Sequence, residues 1–188
     1  MTLRAGEHEL GPACGTLRLR TYREGLAARA GHDLVLVADA WHAHVVVDDR
    51  ADGSPSVTAE IDLQSLRVVE GVGGVKPLSE RDKEEIRATM QKVLRTAERP
   101  IATFSSTVLR VRDDHATLEG ELALAGQTHP VQLEVRREGD GSVAAHAQVV
   151  QSMWGIKPYT GFFGTLKLRD AVEVDVSVDM AFEDRPPR

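Results

Sequence analysis

The sequence predicts an all-β fold: a single antiparallel β-barrel with one α-helix packed on it. Three observations lead there. Apolar and polar residues alternate with period two through most of the 188 residues. Short polar turns rich in Gly and Asp interrupt the alternation. A single segment shows the 3.6-residue period of an amphipathic helix.

The run Leu34–Val47 comes first and is unusual, because both parities are apolar. Leu34, Leu36, Ala38 and Val46 fall on one face, and Val35, Val37, Trp41 and Val45 on the other. A strand of this kind is expected to be covered on both sides. One side would face the barrel interior and the other the helix or a second subunit.

The later strands each have one dry and one wet face. Val57, Ala59, Ile61 and Leu63 oppose Thr58, Glu60 and Asp62, and Leu118, Gly120, Leu122 and Leu124 oppose Thr117, Glu119 and Glu121. Val131, Leu133 and Val135 oppose Gln132, Glu134 and Arg136. Val172, Val174, Val176, Val178 and Met180 oppose Glu173, Asp175, Ser177 and Asp179. That alternation marks an antiparallel sheet. Turns are expected at Asp48–Pro55, Arg112–His115, Ala125–Thr128 and Glu138–Gly141. Such a meander must stack or close to hide its edges, and nothing separates a second set of strands, which favours a barrel.

The helix begins at Ser79, an N-cap with Asp82 completing a weaker form of the capping box. Ile86, Met90, Val93 and Leu94 then form one apolar stripe, and Pro100 follows before the next strand. The helix is expected to pack that stripe on the barrel and close an end or a side.

Composition narrows the function. The chain carries 23 Lys+Arg against 29 Asp+Glu, a net charge of −6, which argues against a dedicated nucleic-acid binder. No apolar run approaches the roughly 18–20 residues of a membrane span. Residues 1–188 read as one domain with a core at about 15–182. The polar N-terminus and the single Cys14 lead to an expected cytoplasmic location.

Several segments could carry chemistry. Small inward residues, Ala59, Ala116, Gly120, Ala145 and Ala147, favour an interior with room for an apolar ligand; a packed interior is the alternative. Met153–Gly164 holds four of the eight aromatic residues, with three glycines and a proline between them. It suits a lid at the barrel mouth, a transient contact with a lipid surface, or a plug sealing one end. His42 and His44 have metal-compatible spacing, yet nothing fixes a third ligand, so no metal site is expected. His32 and Asp33 could be half of an acid–base pair, without a G-x-S-x-G nucleophile signature beside them. Glu70–Pro77 lacks the spacing of a phosphate-binding loop and reads as a rim loop before the helix.

Four segments in order resemble the YceI-like family over roughly residues 15–182. Ala30-Gly31-His32-Asp33-Leu34, followed by Trp41, resembles the early strands of its GHDL-bearing members. Glu98–Ser106 resembles its strand after the helix, with Arg99 in place of the usual aromatic. Gly120–Val131 resembles its "G.L.L.G.T.PV" hairpin, and Gly155–Tyr159 with Gly161 and Phe162 its late loop. The resemblance implies a lipocalin-like barrel that binds a polyisoprenoid or another long amphiphilic lipid.

The function expected is therefore binding and carrying of a long apolar amphiphile: a polyisoprenoid, a quinone or a fatty-acyl-type lipid. No catalytic residue and no cofactor are expected beyond a bound isoprenoid or acyl lipid. The ligand-binding residues expected are Trp154, Tyr159, Phe162 and Phe163 at the mouth, with His32 and Lys157 near the polar head. Leu122, Val131, Val174 and Val176 form the wall. The alternatives are a filled-barrel interaction module that homodimerises, and a small-amphiphile hydrolase using His32 and Asp33.

Overall fold

The structure is a computed structural model that describes residues 5–47, 55–112, 115–139 and 142–179. Most of the turn expected at Asp48–Pro55, the Asp113–Asp114 and Asp140–Gly141 turn residues, and Met180 lie outside the described residues.

In chain order the strands are β1 (Gly6–Leu10), β2 (Gly15–Thr21), β3 (Arg23–Glu24), β4 (His32–Ala38), β5 (Trp41–Val47), β6 (Ser56–Asp62) and β7 (Leu66–Gly73). The helix α1 (Glu80–Val93), the one long helix among the described residues, follows. After it come β8 (Ile101–Arg112), β9 (His115–Leu124), β10 (Gln127–Arg137), β11 (Val143–Val150), β12 (Thr160–Gly161), β13 (Leu166–Leu168) and β14 (Ala171–Val178). Eleven strands form one antiparallel sheet in the order β1-β5-β6-β8-β9-β10-β11-β14-β2-β4-β7, curled into a half-barrel. The three shortest, ordered β12-β13-β3, make a small separate sheet.

The doubly apolar run at Leu34–Val47 is two strands, not one. β4 pairs with β2 and β7, whereas β5 pairs with β1 and β6, so Asp39 and Ala40 carry the chain across the seam of the curl. Parity reverses at that step. Leu34, Leu36 and Ala38 are buried before it, and Trp41, Ala43 and Val45 after it, which explains why both parities are apolar. The turn Leu63–Ser65 makes the second crossing beside the first. Asp62 N–H donates to the Ala40 carbonyl at 3.0 Å, and Ala40 N–H donates to Ser65 Oγ at 3.0 Å. The two crossings are thereby tied together, because each leaves backbone groups that need partners.

The helix forms where its cap and stripe place it. Ser79 Oγ accepts from Asp82 N–H at 3.2 Å, and Asp82 Oδ2 accepts from Ser79 N–H at 2.9 Å, a reciprocal capping box. Ile86 and Met90 pack on Leu34, Leu36 and Val68, while Val93 and Leu94 reach Val149, Trp154 and Ile156. These are inner-face residues. The helix therefore crosses the inside of the curl, and the expectation that it covers the outer face of the 34–47 run fails. Val35 and Val37, on that outer face, are half-buried.

A third cluster sits where the two crossings meet. Leu17, Ala38, Trp41, Ala43, Leu63, Leu66, Ala102 and Val178 pack together there, and Leu66 is 1% exposed. All of these but Ala38 also line the space that the curl encloses.

Candidate ligand cavity

Between the curled sheet and α1 lies a cavity of about 920 Å³, inside the range of roughly 300–1,000 Å³ typical of ligand pockets. Its wall is apolar over most of its extent. β9 contributes Leu118, Leu122 and Leu124, β10 Val131, Leu133 and Val135, and β14 Val172, Val174, Val176 and Val178. Ile86, Met90, Val93 and Leu94 line it from the helix side.

Burial along β10 shows why this is space and not a packed core. Gln132 and Glu134 are exposed on the outer face, as alternation requires. Val131, Leu133 and Val135 point inward yet stay half-buried, because they face open volume instead of opposing side chains. Ala59, Ala116, Ala145 and Ala147 line the cavity as small inward residues. Gly120 serves differently: a Cβ there would lie 2.5 Å from the Phe104 ring, so that aromatic occupies its place.

One part of the wall is polar, and it is built by β3, the start of β4, the loop before α1, the start of α1 and the residue before β12. Arg23, His32, Lys76, Asp82, Glu85 and Tyr159 contribute to the lining. The Arg23 guanidinium donates from Nη1 to the carbonyls of Gly31 and Val72, at 2.7 Å each. His32 Nε2 lies 2.8 Å from the Lys76 carbonyl. Asp33 Oδ1 accepts from the Arg23 backbone N–H at 2.8 Å. His32 and Asp33 are thus engaged with separate partners and act as ties that hold the mouth loops on β4.

Glycine is required where these ties pass. Gly73 and Gly74 have φ of +84° and +74°. A Cβ at Gly73 would enter the Arg23 guanidinium, and one at Gly74 the His32 ring. Lys76 Nζ lies 3.4 Å from Asp82 Oδ2. The Ser79 hydroxyl first, then the Ser79 N–H and Lys76, hold the Asp82 carboxyl down at about 2.

The expected site residues divide. His32, Tyr159, Leu122, Val131, Val174 and Val176 are in the cavity wall. Trp154 is not at the mouth. It is 2% exposed, donates from Nε1 to the Leu122 carbonyl at 2.9 Å and meets His129 edge-on at 5.3 Å. The indole has a buried polar partner and packs with Val93, Leu94, Leu122 and Val174 instead of standing at the mouth. Lys157 is exposed and outside the cavity lining, and Phe163 stands in solvent with a φ of +55°. The Phe162 side chain lies outside the described residues. Met153–Gly164 is irregular and contains β12, which forms a hairpin with the following β13, as its poor alternation suggests.

The sequence alone does not place Arg23, Lys76 and Asp82 in the cavity wall. For Lys76 and Asp82 a local signal existed, since both flank the Ser79 cap. His42 and His44 point outward, His42 Nε2 lying 3.8 Å from Glu60 and His44 Nε2 3.6 Å and 3.8 Å from Glu7 and Glu9. Among the described residues no group of three or more His, Cys, Asp or Glu is placed to hold a metal.

A curled antiparallel sheet around an apolar cavity, with one helix inside the curl, defines a lipocalin-like fold. The family model of the YceI-like domain matches residues 31–180, and the chain belongs to that family, whose members are generally lipid- or polyisoprenoid-binding β-barrels. Among solved structures, BcnA of Burkholderia cenocepacia superposes with a TM-score of 0.57 at 15% identity, covering 87% of this chain and 94% of that one. The YCEI protein of Campylobacter jejuni gives 0.53 at 13% identity, covering 76% and 81%. Likeness at these identities concerns the fold alone. No curated protein matches the chain. Among the described residues no helix is long and apolar enough to cross a membrane.

Proposed function

We propose that this protein binds and carries a long amphiphile, its apolar chain inside the cavity and its polar head beside Arg23, His32, Lys76 and Tyr159. The ligand classes are those of the sequence reading: a polyisoprenoid, a quinone or a fatty-acyl-type lipid. The observation that carries the proposal is the cavity of about 920 Å³ with an apolar wall and one polar end. Burying one methylene is worth about 0.8 kcal/mol, so a fifteen-carbon chain offers about 12 kcal/mol before ordering costs. Space of that size speaks against the filled-barrel reading. The separate engagements of His32 and Asp33 speak against the hydrolase.

A cytoplasmic location, suggested by the single Cys14, and homodimerisation belong to this proposal. Cell fractionation and light scattering check them. The binding itself is tested by titrating lipid-stripped protein with geranylgeraniol and with a long-chain fatty acid. Saturable uptake of one molecule per chain is expected, reduced at least about tenfold in Ala145→Phe, which fills part of the wall. Failure of both probes to bind would overturn the proposal.

A further inference from the structure

The described residues with the greatest apolar exposure are Phe163, Leu26 and Val75, at 110%, 96% and 85% of their reference surface. All three sit on connections around the polar end of the cavity. Leu26 lies between β3 and β4, Val75 between β7 and α1, and Phe163 between β12 and β13.

These connections are stitched into one rim. Ala27 N–H donates to the Thr165 carbonyl at 3.0 Å, joining the Leu26 tip to the Phe163 hairpin. Lys167 pairs with Glu24 across the small sheet. Arg23 and His32 hold the Val75 loop through the Val72 and Lys76 carbonyls. A large side chain left wholly in water on each of three linked tips is a poor arrangement for a surface meant to face solvent.

The charge of the same connections has the opposite sign to the chain. Tyr22–Gly31, Gly74–Ser79 and Gln151–Asp170 carry six Lys or Arg and only Glu24 and Asp170 as acids, a net +4 that exceeds the net −2 of Glu80–Glu85 at the start of α1, in a chain of net −6. Arg29, Lys157, Lys167 and Arg169 are exposed among them. Apolar tips set among basic side chains are complementary to an anionic lipid surface, where the tips enter the acyl boundary and the cations meet head groups.

We infer that this rim, with Leu26, Val75 and Phe163 as its inserting residues, docks the protein on anionic membranes with the polar end of the cavity facing the bilayer. The surface is complete without cargo, so the inference stands apart from the identity of the ligand.

Lipid-stripped full-length protein is sedimented with vesicles of 70% phosphatidylcholine and 30% phosphatidylglycerol, and with vesicles of phosphatidylcholine alone. Binding to the mixed vesicles, weakened by salt, is expected. Leu26→Ser/Val75→Ser/Phe163→Ser should weaken it at least about tenfold with an unchanged far-UV spectrum. Lys157→Glu/Lys167→Glu, which leaves the tips intact, should weaken binding to the mixed vesicles only. Equal sedimentation of wild type and both variants, or none by wild type, would overturn the inference. So would an oligomer that the tip variant dissociates while vesicle binding persists, since the tips would then be covered by a second copy.

Discussion

His32 Nε2 sits 2.8 Å from the Lys76 carbonyl, so the first residue of β4 holds the loop that leads into α1. The contact spans 44 residues of sequence and passes over Gly74, whose missing Cβ leaves room for the imidazole. His32→Ala should release this loop. The expected results are faster amide exchange at Gly74–Leu78 and a loss of about 1 kcal/mol in urea unfolding. Unchanged exchange in that segment would remove His32 from this role.

Gly120 tests how the wall is packed. A side chain there meets the Phe104 ring and the Ser105 carbonyl, both at 2.5 Å, and a strand carbonyl cannot step aside. Gly120→Val should destabilise by about 1–3 kcal/mol, read from the urea midpoint. Gly139→Ala, with nothing within 4 Å of the added Cβ, should change little.

Leu66 and Leu133 both line the cavity and differ in how closely they are packed. Leu66 is 1% exposed in the packed cluster where the crossings meet, and Leu66→Ala should cost about 2–5 kcal/mol. Leu133 is only half-buried on the inward face, so its methyl groups already lack partners on one side. In lipid-stripped protein Leu133→Ala should cost less than about 1.5 kcal/mol. Equal costs would mean that the interior is filled.

Asp82 gives a pH dependence with a definite sign. Its carboxyl is held at about 2, below the ordinary value of 3.8. The capping contribution is therefore fully present above pH 3.8 and is lost as pH falls through about 2. Asp82→Asn should flatten stability against pH in that window, and Ser79→Ala should do the same while removing about 1 kcal/mol of cap at neutral pH. Identical acid profiles for wild type and Asp82→Asn would contradict the assignment.

Period-two alternation made the wall legible, because side-chain direction in a strand is a local property: Leu122, Val131, Val174 and Val176 line the cavity as their parity implies. The cap and stripe of α1 were legible for the same reason. The crossing at Asp39–Ala40 was not, since neither Gly nor Pro marks it and its hydrogen bonds come from Asp62 and Ser65. Trp154 was misplaced because composition cannot say whether an aromatic in a Gly-rich segment faces solvent or, like this indole, finds a buried carbonyl. Leu26 and Val75 went unremarked because exposure of a single apolar residue has no sequence signature.

The central claim is that the cavity holds the apolar chain of an amphiphile. It is tested most directly by mass spectrometry of an organic extract from protein purified without detergent, beside a mock preparation. The account predicts a near-stoichiometric lipid of isoprenoid, quinone or acyl type that is depleted in Ala145→Phe. A clean extract, with no uptake of added isoprenoid or acyl lipids afterwards, would contradict it.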